Sequence, residues 1–261
     1  MTASEPSRPP LDRSAVADVT AYWRVQVVEE TASTNADVAE RAKAGEPAGL
    51  VLVAEHQTAG RGRLDRSWET PPRAALTFSV LLRPAVEPAQ WPWLPLVAGL
   101  ATARGVRRAT ALTGVALKWP NDVLVGGAKL AGILVERVDT AEGAAAIVGI
   151  GINVSTTTEE LPVPTATSLV LAGAEIERGA LLSAVLGELP HLLEVWETAT
   201  EELRTAYLDE CDTVGQVVEV SLPTGETLTG RAVGVDDEGR LDVETDEGRT
   251  PVGAGDVVHV R

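Results

Sequence analysis

The sequence has 261 residues, a hydrophobic fraction of 44% and a formal net charge of −16. A chain of this length can bury one large core and a second, smaller one. Its acidity argues against a nucleic-acid partner, because such binding requires a basic face that displaces counterions. Apolar runs stay well below the roughly 20 residues that a membrane-spanning helix needs, so no membrane partner is expected.

The cysteine and histidine content narrows the class of protein further. Cys211 is the only cysteine, and the three histidines are scattered along the chain. A single cysteine permits no internal disulfide, which is typical of a reducing, cytoplasmic compartment. The N-terminus does not have the basic-then-apolar pattern of a signal peptide. Because the histidines have no metal-ligand spacing, no zinc is expected, and we expect neither a haem nor a nicotinamide cofactor.

Hydrophobic periodicity predicts an ordered succession of elements after a Pro- and Ser-rich segment, residues 1–12, that is predicted to be disordered. In chain order these are a strand at 23–30, a helix at 33–45, strands at 49–55 and 74–82, a helix at 94–111, and strands at 115–119, 122–138 and 143–154. Ser33 or Thr34 is suited to cap the first helix. The pair Gly126-Gly127 predicts a tight hairpin turn.

The C-terminal third changes character. Residues 178–210 are predicted to be helical, with a break near Pro190, because proline removes a helical hydrogen bond. From Thr213 onward, short alternating strands are separated by the turns "PTGE", "DDEG" and "DEGR". This pattern predicts a small β-barrel over residues 213–261.

One loop, "AGRGRLDRSWETPP" at residues 59–72, stands out in an acidic chain because Arg61, Arg63 and Arg66 lie within six residues. The interleaved glycines let the backbone approach a ligand closely, and guanidinium groups suit phosphate or carboxylate. The loop is not a Walker A motif, since no G-K-[ST] follows. It is not a Rossmann fingerprint either, because Asp65 occupies the third glycine position. Taken alone, it is also compatible with a solvated surface loop.

Lysine and asparagine are scarce, with three of each against 19 arginines. Chance is the simplest explanation for the presence of any single one of these six residues. Five of the six, however, fall inside short polar motifs: Asn35, Lys118, Asn121, Lys129 and Asn153. This clustering favours a shared function.

The motifs follow one another as "STN", "EHQTAGRGR" with Trp68 behind it, "KWPND", "KLAGILVE" and "GIGINV". This set closely resembles the signature motifs of the biotin protein ligases (biotin–[acetyl-CoA-carboxylase] ligases). The resemblance is dense over residues 25–154 and looser beyond them. It implies an α+β fold, with a mixed-sheet catalytic domain of the biotin/lipoate-ligase type (class II synthetase-like) at 13–212 and an SH3-like barrel at 213–261.

The resemblance implies an ATP-dependent, AMP-forming ligase. Members of the family make biotinyl-5′-adenylate from biotin and ATP with Mg²⁺, and then transfer biotin to a lysine of a biotin carboxyl carrier protein domain. The implied partner is the carrier domain of a biotin-dependent carboxylase, and we expect a monomer or weak homodimer. Relatives that act as transcriptional repressors carry an N-terminal winged-helix domain. Only about 24 residues precede the first predicted strand here, so no repressor role is expected.

The resemblance also implies roles for single residues. Buried polar groups of the biotin ureido ring need partners, since each unpaired one costs about 1–3 kcal/mol. The expected biotin contacts are Ser33, Thr34, Asn35, Gln57, Arg61, Gly62, Arg63, Lys118 and Gly132. The expected nucleotide contacts are Arg66, Trp68, Asn121, Lys129 and Asn153. Lys118 is expected to bridge the biotin carboxylate and the α-phosphate, which makes it catalytic together with Arg61 and Arg63. Asp122 is the candidate for contact with a metal.

Asp65 departs from the family pattern, which usually has glycine at this position. Aspartate tolerates left-handed backbone better than most residues, so the turn is expected to survive. Its carboxylate is also placed to pair with Arg63 or Arg66, which would weaken the affinity of the loop for phosphate.

Two other interpretations stay open. A lipoate–protein ligase shares the fold and the adenylation chemistry, but lipoate has no ureido group to occupy so polar a pocket. A non-catalytic ligand sensor of the same fold has less need of a phosphate-neutralising lysine. ATP–pyrophosphate exchange with biotin or with lipoate separates the three.

Repulsion among the three arginines, together with two glycines, predicts that residues 60–68 are mobile until an anionic ligand arrives. We therefore expect biotin plus ATP to suppress limited proteolysis by trypsin after Arg61, Arg63 and Arg66. Equal cleavage with and without these ligands would contradict the prediction.

Overall fold

The computed structural model describes residues 8–19, 21–222 and 224–260. Within them the helices are α1 (Thr34–Lys43), α2 (Leu94–Thr110), α3 (Arg178–Thr198) and α4 (Thr200–Leu208). The strands are β1 (Arg24–Val28), β2 (Leu50–Ala54), β3 (Ala75–Leu82), β4 (Val115–Lys118), β5 (Asp122–Val125), β6 (Ala128–Thr140), β7 (Gly143–Asn153), β8 (Val217–Ser221), β9 (Thr227–Val235), β10 (Leu241–Thr245), β11 (Gly248–Val252) and β12 (Asp256–His259). Short 3₁₀ segments occupy Arg13–Val19 and Pro88–Trp93.

The first seven strands form a mixed sheet in the order β1-β2-β3-β7-β6-β5-β4. β1 and β2 are parallel, and the other neighbouring strands are antiparallel. Every residue of β2 and β3 is buried, because helices cover both faces of the sheet. On one face α1 packs through Val38 against Leu50 and Ile147, while α2 and α3 pack on the other. Burial on both faces explains why "LVLVA" is apolar throughout.

The last five strands form an antiparallel sheet in the order β11-β10-β9-β8-β12. A single apolar core joins it to the first sheet. Two tryptophans of the first domain fix the contact: Trp93 Nε1 donates to the Asp237 carbonyl at 2.9 Å, and Trp119 Nε1 donates to the Gly239 carbonyl at 3.1 Å. The predicted fold class, a mixed-sheet catalytic domain followed by a small β domain, is confirmed. No helix among the described residues has the length and hydropathy to cross a membrane.

The predicted hairpin between two strands is confirmed. β5 ends at Val125 and β6 begins at Ala128, so Gly126 and Gly127 form a two-residue turn. Their φ angles are +59° and +81°. Positive φ at both central residues is the requirement of the type I′ hairpin turn, which is why glycine occupies both positions.

The predicted break at Pro190 is wrong, because α3 continues through it to Thr198 and the chain bends only at Ala199. Proline cannot donate to the carbonyl four residues earlier, which here belongs to Leu186. The buried indole of Trp23 supplies the missing donor, with Nε1 at 3.0 Å from that oxygen. Neighbouring apolar side chains such as Trp196 are fully buried, so packing holds the helix together.

The N-terminal segment also differs from its prediction of disorder. Residues 1–7 lie outside the described part of the chain, whereas residues 8–12 lie against the first domain. Leu11 is buried and its N–H donates to Glu55 Oε1 at 2.6 Å. Arg178 forms a buried ion pair with the same carboxylate at 2.6 Å. A buried charge pair fixes this segment in place, and composition alone does not reveal it.

The contact between α2 and α3 depends on Gly105. A Cβ there would lie 2.7 Å from Val185 Cα and 2.8 Å from its nitrogen, so the two helix backbones meet where a side chain cannot fit. We expect Gly105→Ala to lower the free energy of unfolding by about 1–3 kcal/mol through overpacking. Gly187→Ala is the matched control, since nothing lies within 4 Å of its added Cβ. It should raise stability by about 0.5–1 kcal/mol. Urea titrations of both variants measure the difference, and equal effects would contradict the packing argument.

Candidate active site

A cavity opens on the α1 face of the first sheet, over the adjoining parts of β3, β7 and β6. Its empty space, counted together with the solvent at its open mouth, is about 770 Å³. Most of the residues expected from the sequence line it: Ser33, Thr34, Asn35, Gln57, Arg61, Gly62, Arg63, Arg66, Trp68, Asn121, Asp122, Lys129 and Gly132. Motifs that lie far apart in the sequence are therefore brought together.

The floor of the cavity is a glycine pair covered by an indole. Gly132 on β6 lies directly opposite Gly151 on β7. A Cβ at Gly151 would lie 2.5 Å from Trp68 Cε2, and one at Gly132 would lie 3.3 Å from Trp68 Cζ3. The Trp68 side chain can rest on the sheet only because neither residue has a side chain. Its buried Nε1 has no hydrogen-bond partner among the described residues and lies against the sheet, 2.8 Å from the position of an added Cβ on Gly151.

A buried hydrogen-bond network forms the wall beside α1. Asn35 Oδ1 lies 2.6 Å from the Ser79 hydroxyl, which also lies 2.7 Å from Thr34 Oγ1. Gly149 makes room for the amide, because a Cβ at that position would lie 2.3 Å from Asn35 Oδ1. Asn35 Nδ2 donates to Glu136 Oε2 at 2.7 Å. Asn35 thus lines the cavity with its amide already hydrogen-bonded within the protein.

Gln57 is held by the start of α1. Its Oε1 accepts from the Thr34 N–H at 2.8 Å and from the Thr34 hydroxyl at 3.0 Å. Ser33 occupies the N-cap position, as the sequence predicted, but its hydroxyl does not cap the helix. Since Ser33 is buried and lines the cavity, that hydroxyl belongs to the site.

The arginine loop folds back on itself as a small hairpin. Gly62 N–H donates to the Arg66 carbonyl at 2.7 Å, and Trp68 N–H donates to the Gly60 carbonyl at 2.8 Å. Asp65 has a left-handed φ of +57°, as the sequence predicted for a position that favours glycine. Its predicted pairing with Arg63 or Arg66 is wrong: across residues 8–19, 21–222 and 224–260, Asp65 forms no ion pair. The predicted mobility of the loop stays a prediction.

The three loop arginines contact different acceptors. Arg61 Nη2 pairs with Glu136 Oε2 at 2.9 Å. Arg63 Nη1 donates to the Asn121 side chain at 3.0 Å. Arg66 pairs with Asp256, which comes from the second sheet. Separate partners explain how three like charges coexist in a short loop.

These contacts shift the pKa values of the groups involved. Hydrogen bonding to Asp256 raises the pKa of Arg66, and the same bond lowers the pKa of Asp256 below its usual value. Burial lowers the pKa of the Arg63 guanidinium, although the charges of Asp256 and Asp122 oppose this. Both members of the Arg66–Asp256 pair are therefore charged at neutral pH.

Lys129 is the lysine that reaches the cavity. It is the second residue of β6, and its Nζ pairs with Asp122 Oδ1 at 2.7 Å. An added Cβ on Gly132 would lie 3.4 Å from Lys129 Nζ, which places the ammonium group beside the glycine floor. The described residues contain no group of three or more acidic, histidine or cysteine ligands for a metal. Because Mg²⁺ carried by substrate phosphates needs only one or two protein carboxylates, the predicted metal contact of Asp122 stays a prediction.

Two predicted site residues lie elsewhere. Lys118 is not among the residues that line the cavity. Its charge instead acts on the second domain: burial lowers the pKa of His259 and Lys118 lowers it further. Asn153 is buried, and its Nδ2 donates to the Thr167 carbonyl at 3.0 Å. Lys118 nevertheless stays close to the site: on the edge strand β4 it is the register partner of Asp122, which lines the cavity, and its charge lowers the pKa of Asp256, which also lines it.

Sequence reasoning missed several residues of the site: Thr77, Ser79, Glu136, Gly149, Gly151 and Asp256. One signal was present. Gly149 and Gly151 alternate with isoleucine on a strand, and glycine inside a strand often marks the close approach of another group. Glu136 and Asp256 carry no such local signal, since each acts through a partner distant in sequence.

The chain was compared with known families and proteins. Residues 27–153 match the Biotin/lipoate A/B protein ligase family, and residues 213–260 match the Biotin protein ligase C terminal domain. The biotin–[acetyl-CoA-carboxylase] ligase of Mycobacterium tuberculosis is 42% identical, with 100% of both chains covered.

Solved structures agree with these matches. The biotin protein ligase from Aquifex aeolicus in complex with biotin and ATP has a TM-score of 0.78 and 30% identity, covering 91% of this chain and 99% of that one. The biotin protein ligase from Leishmania major in complex with biotinyl-5-AMP has a TM-score of 0.59 and 28% identity, covering 88% and 99%. This chain therefore belongs to the biotin protein ligases of the biotin/lipoate A/B protein ligase family.

Proposed function

We propose that this chain activates biotin with ATP to biotinyl-5′-adenylate and transfers biotin to a lysine of a carrier protein. One observation carries the proposal: a single cavity joins an uncharged polar wall to a cluster of cations. Thr34 and Gln57 lie in the wall, while Arg63, Arg66 and Lys129 lie in the cluster. A ligand with a polar ring at one end and a carboxylate beside a phosphate at the other fits this arrangement.

The polar wall is proposed to hold the ureido group of biotin. Ser33 and Gln57 offer hydroxyl and amide groups to it, and Asn35 and Ser79 hold the wall in place. Trp68 and the glycine floor offer apolar surface for the ring and tail. Lipoate has no polar ring for this wall, and the named relatives act with biotin, so the lipoate alternative is disfavoured.

Lys129 is proposed to take the catalytic role that the sequence assigned to Lys118. In adenylation a carboxylate oxygen attacks the α-phosphorus, and pyrophosphate leaves. Two anions must therefore approach each other, and negative charge grows at the phosphate. Lys129 Nζ lies beside the cavity floor and already holds one carboxylate, that of Asp122. A preorganised cation at this position stabilises the transition state more than the ground state.

The arginines are proposed to bind the nucleotide phosphates. Arg63 and Arg66 present guanidinium forks suited to phosphate oxygens, and both line the cavity. Mg²⁺ usually enters such sites on substrate phosphates with few protein ligands. It is accordingly proposed as part of the ATP substrate.

The acceptor is proposed to be the biotin carboxyl carrier domain of a biotin-dependent carboxylase. The Mycobacterium tuberculosis relative is named for acetyl-CoA carboxylase, which supports that class of partner. In the transfer step the acceptor amine attacks the acyl carbon, and AMP leaves. The free, buried Cys211 is consistent with a cytoplasmic location, which we retain as a proposal.

The three lysines of the chain allow a matched test of the catalytic assignment. We expect Lys129→Ala to lower kcat for biotin-dependent ATP–pyrophosphate exchange by about 10²–10³-fold, the usual effect of removing a preorganised donor. Lys118→Ala should lose much less, because that side chain lies outside the cavity. Lys43→Ala is the control, since Lys43 is exposed on α1 and pairs there with Glu40.

Exchange is measured at saturating biotin and ATP, with circular dichroism to confirm that each variant is folded. A large loss in Lys118→Ala with near-normal exchange in Lys129→Ala would return the catalytic role to Lys118. If the wild-type protein exchanges with lipoate and not with biotin, the proposed substrate is wrong.

The glycine floor gives a separate prediction for substrate affinity. In Gly151→Ala the new Cβ collides with Trp68, whose loop can move more easily than the strand. Because overpacking costs about 1–3 kcal/mol, we expect the KM for biotin to rise about tenfold, with little change in Tm. Gly234→Ala is the control, as nothing lies within 4 Å of its added Cβ. An unchanged KM in Gly151→Ala would show that Trp68 does not contact biotin.

A further inference from the structure

One carboxylate of the second domain reaches into the cavity. Asp256 begins β12 and lines the site with the arginine loop. Its Oδ1 lies 3.3 Å from Arg66 Nη1, and its Oδ2 accepts a shorter hydrogen bond from Arg66 Nη2. Both oxygens therefore face one guanidinium fork, the bidentate geometry that favours such pairs.

The residue before it contacts the second arginine. Arg63 Nη2 donates to the Gly255 carbonyl at 3.3 Å, while its Nη1 donates to Asn121 Oδ1 at 3.0 Å. Arg63 thus joins the second domain to the turn that follows β4. Two consecutive residues of the second domain hold the two arginines proposed to bind phosphate.

The platform that carries Asp256 is rigid. Asp256 pairs with Ser221 across β12 and β8. A Cβ on Gly255 would lie 2.6 Å from Val220 Cγ1 and 3.0 Å from the Ser221 carbonyl, so the backbone there is packed directly against β8. Because the platform is fixed to the sheet, the part that can move is the arginine loop.

Electrostatics keep the contact intact over the working pH range. The Arg66 hydrogen bond is the main cause that lowers the pKa of Asp256, and the charges of Lys118 and Arg63 add to it. Partial burial of the carboxylate acts in the opposite direction. Asp256 is therefore anionic wherever the enzyme would work.

We infer that Asp256 is a cross-domain latch that keeps the arginine loop closed over the acyl-adenylate until the acceptor arrives. The inference rests on the proposed function. A mixed anhydride is lost if water enters: water attacks the acyl carbon, the bond from that carbon to the phosphate oxygen breaks, and biotin, AMP and a proton result. It is also lost by escape from an open site. The latch slows both losses by holding Arg66, and through Gly255 it holds Arg63. Asp256 is a positioning residue in this scheme, since it acts on the intermediate through the arginines.

The test is Asp256→Asn, which keeps the shape of the side chain and removes its negative charge. Enzyme loaded with radiolabelled biotin and ATP is chased with unlabelled biotin, and the release of labelled biotinyl-adenylate is followed by rapid filtration. We expect release to be about two- to fivefold faster, the range that an exposed ion pair accounts for. The KM for ATP should rise by a similar factor. Biotin binding without ATP and the Tm should stay unchanged, which a merely structural role would not produce.

Asp242→Asn is the matched control, because Asp242 lies on the same sheet and pairs with Arg249 at 3.7 Å, outside the cavity. It should release the adenylate at the wild-type rate. The wild-type protein provides a second measurement that needs no variant. Raising NaCl from about 0.05 M to about 0.5 M should speed release, because salt screens an exposed pair.

Release that is equal in the Asp256→Asn and wild-type proteins, and insensitive to salt, would overturn the latch. Tighter ATP binding in the variant would overturn it as well, since it would mean that Asp256 competes with phosphate for Arg66. A wild-type protein that shows no biotin-dependent exchange would refute the proposed function itself, a result separate from either of these.

Discussion

The site depends on glycines, which have no side chain, on one face of the neighbouring strands β6 and β7. Gly132, Gly149 and Gly151 leave the α1 face of the sheet bare where β6 and β7 meet. Trp68 rests on one part of this bare surface and the Asn35 amide on another. Any side chain at these positions would push both groups outward and fill the space that a ligand needs. The same strands place isoleucines on their opposite face, so a substrate floor and a hydrophobic core share one pair of strands.

Most of the positive charges in the cavity are paired with carboxylates of the protein. Three cations of the cavity have carboxylate partners: Arg61 with Glu136, Lys129 with Asp122 and Arg66 with Asp256. Such half-exposed pairs contribute little stability, so the anionic groups of a ligand can replace the partners of Arg61 and Lys129 at small cost, while Asp256 keeps Arg66. An acidic chain thus assembles a basic site by supplying a carboxylate for each of these three cations.

Much of the fold could be predicted from the sequence, because the signals for it lie in residues that are close together in the chain. Turn glycines and apolar alternation depend on residues close in the chain, and they predicted the strands and the Gly126-Gly127 hairpin. Most of the cavity lining was implied by the resemblance of the short motifs to the biotin protein ligases. The errors share a different cause. Whether Lys118 or Lys129 reaches the cavity depends on strand order across the sheet, which no local pattern encodes. The continuity of α3 through Pro190 depends on an indole more than 160 residues earlier in the chain. Asp256 and Glu136 likewise act through partners that only the fold brings near.

The docking of the second sheet has a thermodynamic consequence. Trp93 and Trp119 donate to carbonyls of that sheet, and Trp119 N–H also donates to Thr213 Oγ1 at 3.0 Å. These bonds lie along one continuous apolar core. Separating the sheets would hydrate that core on both sides and strip buried donors of their acceptors, so neither sheet can melt while the other stays intact. The two sheets therefore form one cooperative folding unit, and heat or denaturant should unfold them in a single transition.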